Sequence, residues 1–250
     1  MIEDGVFLRP DWPAPGGVDA WFTTRAGGVS PGPYASLNLG LHVGDDATRV
    51  AHNRQVALRG LAAQPVWLQQ NHGTSVADLD DGPPLAPADA AVTSRPGRVC
   101  TVLVADCLPV FFCDRAGTRV GVAHAGWRGL AAGVLEATVR SMRVAPRELL
   151  AYIGPAIGRA AFEVGGEVRA AFCDTDPRAG AAFDARPDQP GKFLADLPAL
   201  ARMRLQASGI EDVRGGERCT FADPARFFSY RRDGVTGRMG AFIHLHPGAR

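Results

Sequence analysis

Three short segments of this chain each place a potential metal ligand beside residues that favour tight turns. His72 lies in QNHGT, Cys107 in VADCLPV and His124 in VAHAGWRG. Two imidazoles and one thiolate are enough for a catalytic zinc site, which takes three protein ligands and leaves a fourth position for water or substrate. Cys107 follows His72 by 35 residues and precedes His124 by 17. These spacings do not match a zinc finger, so the fold must assemble the site.

The same three residues also suit a cysteine nucleophile with a histidine base. Taken singly, each residue has an ordinary structural explanation, because turn histidines bond to nearby backbone and cysteines in apolar strands are usually buried. Cys100 and Cys113 lie in the same apolar region and are expected to be such core thiols. Cys107 differs because it lies beside Asp106, where the predicted strand breaks at Pro109.

The composition is that of an ordinary globular protein. The 250 residues fit one large domain or two small ones, and 46% of them are apolar while 21% are charged. A formal net charge of +1 gives no overall field that would favour nucleic acid or acidic membranes, so neither is an expected partner. Five cysteines without framework spacing predict reduced thiols in a cytoplasmic protein.

Targeting and membrane-spanning segments are not predicted. The start of the chain, MIEDGVFLRPDW, lacks the basic and apolar regions of a signal peptide. The longest apolar stretch, Val99–Cys113, is interrupted by Asp106 and is too short to span a bilayer. We expect a monomer or a weak homo-oligomer.

The strongest strand signals occupy the centre of the chain. Three apolar runs rich in β-branched and aromatic residues predict strands that are covered on both faces. These runs are VCTVLVAD at 99–106, PVFFCD at 109–114 and RVGVAHAG at 119–126. Further predicted strands cover 18–24, 65–70, 74–79, 149–155 and 241–245.

Helices are predicted between these strands. Asp45 or Asp46 can cap a helix that runs to about Arg59, and Asp196 can cap another that ends at Gly209. Other predicted helices cover 129–142 and 166–172, and a surface loop is predicted over 173–192. Alternating strands and helices predict an α/β or α+β domain with a central, well-covered sheet.

Taken together, QNHGT, ADCLPV and AHAGWRG resemble the YfiH/laccase-domain family, also called the multicopper polyphenol oxidase laccase family or peptidoglycan editing factor family. Other segments agree with this resemblance: TRAGGVS at 24–30, NLGLHVGDD at 38–46 with NR at 53–54, IGPAIG and FEVGGEV within 153–168, and CTF with FFSYRRDGVTGRMGAFI within 219–243. The resemblance covers nearly the whole chain, although 173–218 matches only loosely.

The resemblance implies a single domain over residues 1–250, built as an α/β (α+β) sandwich of two mixed sheets with outer helices in the cysteine-hydrolase-like YfiH fold. It implies a zinc site whose ligands, also the catalytic residues, map onto His72, Cys107 and His124. It implies phosphorolysis of adenosine, inosine, guanosine and methylthioadenosine, together with adenosine deamination. Purine nucleosides and phosphate are then the expected partners.

Zinc in such a site could act as a Lewis acid on a bound water or a substrate oxygen. Arg54 and Arg231 lie in motif contexts and are predicted to orient phosphate and offset its charge. Asn71 or Asp106 could position a substrate hydroxyl or orient a ligand imidazole.

Three alternatives remain open on the sequence. A cysteine hydrolase or amidase would use Cys107 as nucleophile on a cell-wall precursor. A copper polyphenol oxidase is less expected, because a multicopper site needs many imidazoles and this chain has six histidines, with His244 and His246 as its one H-x-H pair. A binding protein with a vestigial site is the third alternative.

Overall fold

Apolar residues alternate between two buried faces along the central strands, which explains why their apolar runs are continuous in the sequence. Cys100 points into one cluster of buried residues, whereas its neighbour Val99 joins another. Phe111 and Phe112 are fully buried and also lie in different clusters. The computed structural model describes residues 2–3, 5–58, 61 and 64–246.

The described part of the chain forms fifteen strands and six α-helices. The strands are β1 Ile2–Glu3, β2 Phe7–Arg9, β3 Val18–Thr23, β4 Gln64–Trp67, β5 Val76–Asp78, β6 Ala90–Thr93, β7 Arg98–Val104, β8 Leu108–Asp114, β9 Val120–Ala125, β10 Leu149–Ile153, β11 Glu163–Gly165, β12 Phe183–Ala185, β13 Lys192–Ala195, β14 Asp212–Gly215 and β15 Met239–Leu245. The helices are α1 Ala47–Ala57, α2 Trp127–Ala132, α3 Val134–Ser141, α4 Gly166–Cys173, α5 Leu197–Ala207 and α6 Tyr230–Asp233. None of these helices is long and apolar enough to cross a membrane.

Most strands belong to two six-stranded mixed sheets. The first sheet has the order β1-β2-β3-β15-β7-β4, and the second has the order β14-β10-β8-β9-β6-β5. The pairs β4–β7, β5–β6 and β10–β14 are parallel, and the other neighbours are antiparallel. A smaller antiparallel sheet has the order β11-β13-β12.

The two large sheets pack face to face and carry helices on their outer sides. Between the sheets, the rings of Phe22 on β3 and Phe111 on β8 stack with centroids 4.5 Å apart. On the far side of the second sheet, Phe112 shares a buried cluster with Leu135 of α3. On the far side of the first sheet, Ala57 of α1 joins the third cluster. The predicted sandwich of two mixed sheets with outer helices is therefore confirmed.

The helix predicted over 129–142 is instead two helices that meet at Gly133. This glycine has φ 101°, a left-handed conformation that ends α2, and its N–H donates to the carbonyl of Gly129 at 3.0 Å. Glycine adopts this conformation without a side-chain clash, so the chain turns there and restarts as α3. The prediction missed the break because one glycine within an apolar helical pattern is often tolerated.

The prediction of a surface loop over 173–192 is also wrong in part. This stretch contains the 3-10 helix Pro177–Ala182 and strand β12. The stretch contributes Ala179, Ala182 and Phe183 to the buried cluster that also contains residues of α4 and α5. The longest exposed run in this stretch is 187–192, as expected of a loop rich in Pro and Gly.

Smaller differences concern element ends. Helix α1 begins after Asp46, whose side chain accepts the N–H of Arg49 at 3.0 Å, and the predicted last residue Arg59 lies outside the described residues. Pro109 does not break a strand: it is the second residue of β8, and the bend lies at 105–107. Helix α6 and several short strands were not predicted: β1, β2, β6, β11, β12, β13 and β14.

Candidate metal site and its cavity

His72 lies in the loop that follows β4, on a turn held against the first sheet. The side chain of Gln70 accepts the N–H of Leu103 at 2.8 Å and donates to the carbonyl of Leu103 at 2.9 Å. This two-sided contact ties the loop to β7. His72 itself has φ 61°, a left-handed conformation that is uncommon for a residue other than glycine.

Cys107 lies where the chain crosses from the first sheet to the second. Strand β7 ends at Val104 and β8 begins at Leu108, so Cys107 is part of the short crossing. The preceding residue, Asp106, has φ 88°, and its carboxylate accepts the hydroxyl of Thr220 at 2.5 Å and the backbone N–H of Arg231 at 2.7 Å. These contacts fix the bend from which the thiol projects.

His124 is the second-last residue of β9 and is only 3% exposed. Its Nδ1 lies 2.8 Å from the carboxylate of Asp89, which is fully buried. When Nδ1 carries the proton that this carboxylate accepts, Nε2 is the ring atom left to bind a metal or a proton.

The ligand atoms of His72, Cys107 and His124 all lie within 4.8 Å of one another. The Cys107 sulfur is 3.8 Å from Nε2 of His72. Tetrahedral zinc with thiolate and imidazole ligands separates its donor atoms by about 3.3–3.6 Å. The donor types fit a zinc ion, and their spacing in the metal-free protein is slightly longer than that of a zinc site. Among the described residues this is the one group of three or more metal-binding side chains.

Gly126 permits this close approach. A Cβ atom at this position would lie 2.8 Å from Cδ2 of His72 and 2.9 Å from the sulfur of Cys107. Both distances are shorter than ordinary carbon and sulfur contacts, so a larger residue would push the two ligands away. The glycine of the GWRG segment is therefore a packing requirement of the site.

The charges of Cys107 and His124 stabilise each other in the metal-free protein, as in an ion pair. Burial opposes ionisation of the thiol, but the charge of His124 and hydrogen bonds from both histidines lower the pKa of Cys107 to about 6. Burial also opposes protonation of His124, yet the Cys107 thiolate and the Asp89 carboxylate raise its pKa to about 9. The thiolate is the form of cysteine that binds metals and attacks electrophiles.

Alkylation of Cys107 by iodoacetamide in the metal-free protein is expected to rise with pH around a midpoint near 6. The lowered pKa keeps the reactive thiolate populated above that pH and loses it only as the pH falls through the midpoint. Peptide mass spectrometry over a pH series gives the rate, with Cys107→Ala identifying the modified peptide. A midpoint near the ordinary cysteine pKa of about 8.5 would contradict the ion pair.

The three ligands open onto a cavity of about 630 Å³. This volume lies within the range of about 300–1,000 Å³ that is usual for small-molecule sites. Its described lining residues are His42, Leu68, Gln69, Gln70, His72, Leu103, Ala105, Cys107, His124, Tyr230 and Arg238. Tyr230 is 60% exposed although it lines a cavity, which leaves an aromatic ring free to meet a ligand.

Arg238 and His42 line the cavity, and Arg54 lies close to His42. Burial first, and then the charges of Arg238 and Arg54, lowers the pKa of His42. Arg238 donates to the carbonyls of Thr236 and Gly237 at 3.1 and 3.0 Å. In the described residues we find no ion pair of Arg54 or Arg238 with an acidic side chain. Burial lowers the pKa of Arg238, and the negative charges of Cys107 and Asp106 oppose that shift, so an anion would meet one arginine whose charge is only partly compensated.

Arg54 is held beside the cavity and not in its described lining. Its guanidinium stacks on the ring of Trp67 at 3.8 Å, and its Nε donates to the carbonyl of Leu39 at 3.0 Å. Burial lowers the pKa of Arg54. Arg54, one of the two predicted phosphate-binding arginines, therefore acts on the cavity through its charge: it lies close enough to His42, a lining residue, to lower the pKa of that histidine.

Arg231, Asp106 and Asn71 have structural contacts that differ from the predicted ones. The guanidinium of Arg231 donates to the carbonyl of Glu163 at 2.7 Å and does not line the cavity among the described residues. Asp106 bonds to Thr220 and to the backbone of Arg231, and the side chain of Asn71 accepts the N–H of Gly73 at 3.1 Å. Neither side chain orients a ligand imidazole, since Asp89 makes that contact.

Four residues at the site were not predicted from the sequence: Asp89, which contacts His124, and the cavity residues His42, Tyr230 and Arg238. Asp89 precedes a strand of four small residues, AAVT, which gave no strand signal of its own. His42 and Arg238 lie in the segments NLGLHVGDD and VTGRMG, both of which carried the family resemblance. Their presence in those segments was the available signal, but the residue types alone did not single them out.

Comparisons with known proteins find relatives that are similar to nearly the whole chain. Residues 19–246 match the family model described as multi-copper polyphenol oxidoreductase laccase. The chain is 54% identical over 239 residues to purine nucleoside phosphorylase PA4543 of Pseudomonas aeruginosa, covering 96% of this chain and 98% of that protein. It is 55% identical over 242 residues to purine nucleoside phosphorylase YfiH of Escherichia coli, covering 95% and 98%. The crystal structure of Neisseria meningitidis protein NMB0706 superposes with a TM-score of 0.93 at 51% identity, covering 96% of this chain and 99% of that one.

Proposed function

This chain belongs to the multi-copper polyphenol oxidoreductase laccase family, and from that premise we propose that it is a zinc-dependent purine nucleoside phosphorylase. Its substrates are adenosine, inosine, guanosine and methylthioadenosine, with phosphate as the second substrate. Adenosine deamination is a second activity of the same site. Two relatives that are 54% and 55% identical carry the name purine nucleoside phosphorylase, which supports this choice among the alternatives.

One observation supports the proposal most directly: a metal-ligand group and an arginine that has no carboxylate ion pair among the described residues open onto the same cavity. His72, Cys107 and His124 line this cavity together with His42 and Arg238. A phosphorylase must hold a dianionic phosphate beside an uncharged nucleoside. Leu68, Leu103, Ala105 and Tyr230 supply apolar and aromatic surface for the nucleoside in the same space.

In phosphorolysis, a phosphate oxygen forms a bond to C1′ of the ribose while the bond from C1′ to N9 of the purine breaks. The bonding electrons leave with the purine, which takes up a proton, and ribose 1-phosphate is the other product. Arg238 would orient the phosphate and offset its charge, with Arg54 adding charge from beside the cavity, and His42, whose pKa is lowered, would contribute a hydrogen bond as a neutral imidazole. Tyr230 offers its exposed ring to the base.

His72, Cys107 and His124 would hold the zinc ion. When bound, zinc would supply Lewis-acid chemistry. The ligand inventory favours zinc over copper electron-transfer chemistry. A multicopper site needs many imidazoles, whereas the described lining of this cavity holds three histidines, His42, His72 and His124. The buried pair His124–Asp89 leaves one defined ring nitrogen for the metal.

Inosine is expected to yield hypoxanthine and ribose 1-phosphate only when phosphate is present. The reason is that phosphate, held by Arg238 in the cavity, is the nucleophile. Chromatography of the products with and without phosphate tests this on protein of known metal content. Equal release of hypoxanthine in phosphate-free buffer would identify a nucleoside hydrolase instead.

Adenosine is expected to yield inosine as well as adenine, and a chelator should suppress both products together. Both reactions would depend on the ligands His72, Cys107 and His124, so loss of the metal removes them in parallel. Product ratios before and after zinc removal, and after zinc is restored, give the comparison. Deamination that survives in metal-free protein would require a separate acid–base pair.

A cysteine hydrolase or amidase acting on a peptidoglycan precursor is the second candidate. The spatial chain from Cys107 to His124 and from His124 to Asp89 favours it, because a nucleophile, a base and a carboxylate that orients the base are arranged in this way in cysteine hydrolases. The two candidates separate on metal content, since a thiolate bound to zinc is a poor free nucleophile. Hydrolysis of a cell-wall peptide by zinc-free protein, lost on alkylation of Cys107, would favour the hydrolase.

A further inference from the structure

The carboxylate of Asp89 accepts hydrogen bonds from two of the three ligand-bearing segments. Its Oδ1 accepts the backbone N–H of His72 at 3.0 Å and lies 2.8 Å from Nδ1 of His124. Its Oδ2 accepts the N–H of Gly73 at 2.7 Å and that of Asn71 at 3.2 Å. Asp89 is fully buried, so water does not compete for these contacts.

The turn at 71–73 is shaped around this carboxylate. Three successive backbone N–H groups converge on one side chain, an arrangement that binds anions, and the N–H of Gly73 also reaches the side-chain oxygen of Asn71 at 3.1 Å. His72 takes φ 61° within the turn, a conformation that non-glycine residues adopt only when surrounding contacts require it. The position of the His72 imidazole therefore depends on the acceptor at the centre of the turn.

The same carboxylate fixes the second ligand. His124 donates its backbone N–H to the carbonyl of Asp89 at 2.7 Å, and its ring is held through Nδ1. A ring held by Nδ1–H presents Nε2, the atom that shares the ligand group with Cys107 and His72. One residue thus sets the turn of one ligand and the ring orientation of another.

We propose that Asp89 is a positioning residue of the metal site, and that its ionised carboxylate is required to hold His72 and His124 at metal-binding distance. The inference rests on the metal-binding part of the proposed function. The role of Asp89 depends on its negative charge and on the four hydrogen bonds that its carboxylate accepts, and not merely on the volume of the side chain. An amide cannot replace the carboxylate, because its NH₂ group would face N–H donors on whichever side it lies.

Asp89→Asn tests the proposal, and Asp114→Asn is its matched control. Asp114 is 3% exposed and accepts the N–H and hydroxyl of Thr118 at 2.7 and 2.6 Å and the N–H of Arg119 at 2.9 Å. It therefore holds the turn after β8 much as Asp89 holds the turn at 71–73. Zinc affinity is measured on the purified full-length variants by competition with a chromophoric chelator, and folding by thermal denaturation.

The Kd for zinc is expected to rise about 10- to 100-fold in Asp89→Asn, the usual effect of losing a group that orients a ligand, and to stay at the wild-type value in Asp114→Asn. Amide hydrogen exchange at 71–73 in the metal-free protein should accelerate in Asp89→Asn alone. A folded Asp89→Asn with wild-type zinc affinity would overturn the proposal, as would equal loss of affinity in both variants. Failure of phosphorolysis in wild-type protein would contradict the proposed function while leaving these metal-binding results as the test of Asp89.

Discussion

Replacing Cys107 with Ala is expected to remove stoichiometric zinc and phosphorolysis together. Cys107 supplies the thiolate of the ligand group, and its pKa is lowered to about 6, so it is ionised and ready to bind metal at neutral pH. Loss of groups that only orient a ligand costs about 10- to 100-fold in affinity or activity, so loss of a ligand should lower kcat/KM for inosine by at least about 100-fold. Elemental analysis and initial rates on the same preparation measure both effects.

Cys173→Ala is the matched control for this prediction. Cys173 is also a free, partly exposed cysteine, but it lies at the end of α4 and belongs to no metal-ligand group of the described residues. Its replacement should leave zinc content and rate unchanged. If Cys107→Ala kept its zinc and still lost all activity, the cysteine-nucleophile interpretation would be favoured over the zinc enzyme.

Replacing Arg238 with Ala is expected to raise the KM for phosphate by about 10- to 150-fold with a much smaller change in the KM for inosine. Arg238 lines the cavity, and its charge has no acidic partner among the described residues. A hydrogen bond to a charged group is worth about 1.5–3 kcal/mol, and each 1.4 kcal/mol corresponds to about tenfold in binding. Initial rates over a matrix of phosphate and inosine concentrations separate the two constants.

Two further arginine variants act as comparators. Arg54→Ala should raise the KM for phosphate less than Arg238→Ala does, because its guanidinium lies behind the cavity on Trp67, and it should leave zinc content unchanged. Arg231→Ala should have the smallest effect, since its backbone N–H and not its side chain contacts Asp106. Unchanged phosphate dependence in Arg238→Ala would remove this residue from the phosphate site, and unchanged dependence in Arg54→Ala would remove Arg54.

The sequence by itself determined the strands of the core and the residues that could bind a metal. Runs such as VCTVLVAD and PVFFCD are apolar at nearly every position because both faces of each strand are covered, so the burial of these strands can be predicted from local composition. His72, Cys107 and His124 stood out because each lies where an apolar run meets turn residues. The motifs around them carried the family resemblance, which implied the two-sheet sandwich that the structure has.

Only the tertiary structure decided which other residues join the site. Asp89 is 35 residues from His124 in the chain, and the two meet because β6 and β9 are neighbours in the second sheet. Arg238 reaches the cavity because β15 pairs with β7, whereas the guanidinium of Arg231 turns away to Glu163. Aspartate and arginine are common surface residues, and their function here depends on long-range pairing and burial. Local sequence patterns do not encode those two properties, so the carboxylate that orients the ligands and the arginine beside the metal site were visible only in the folded chain.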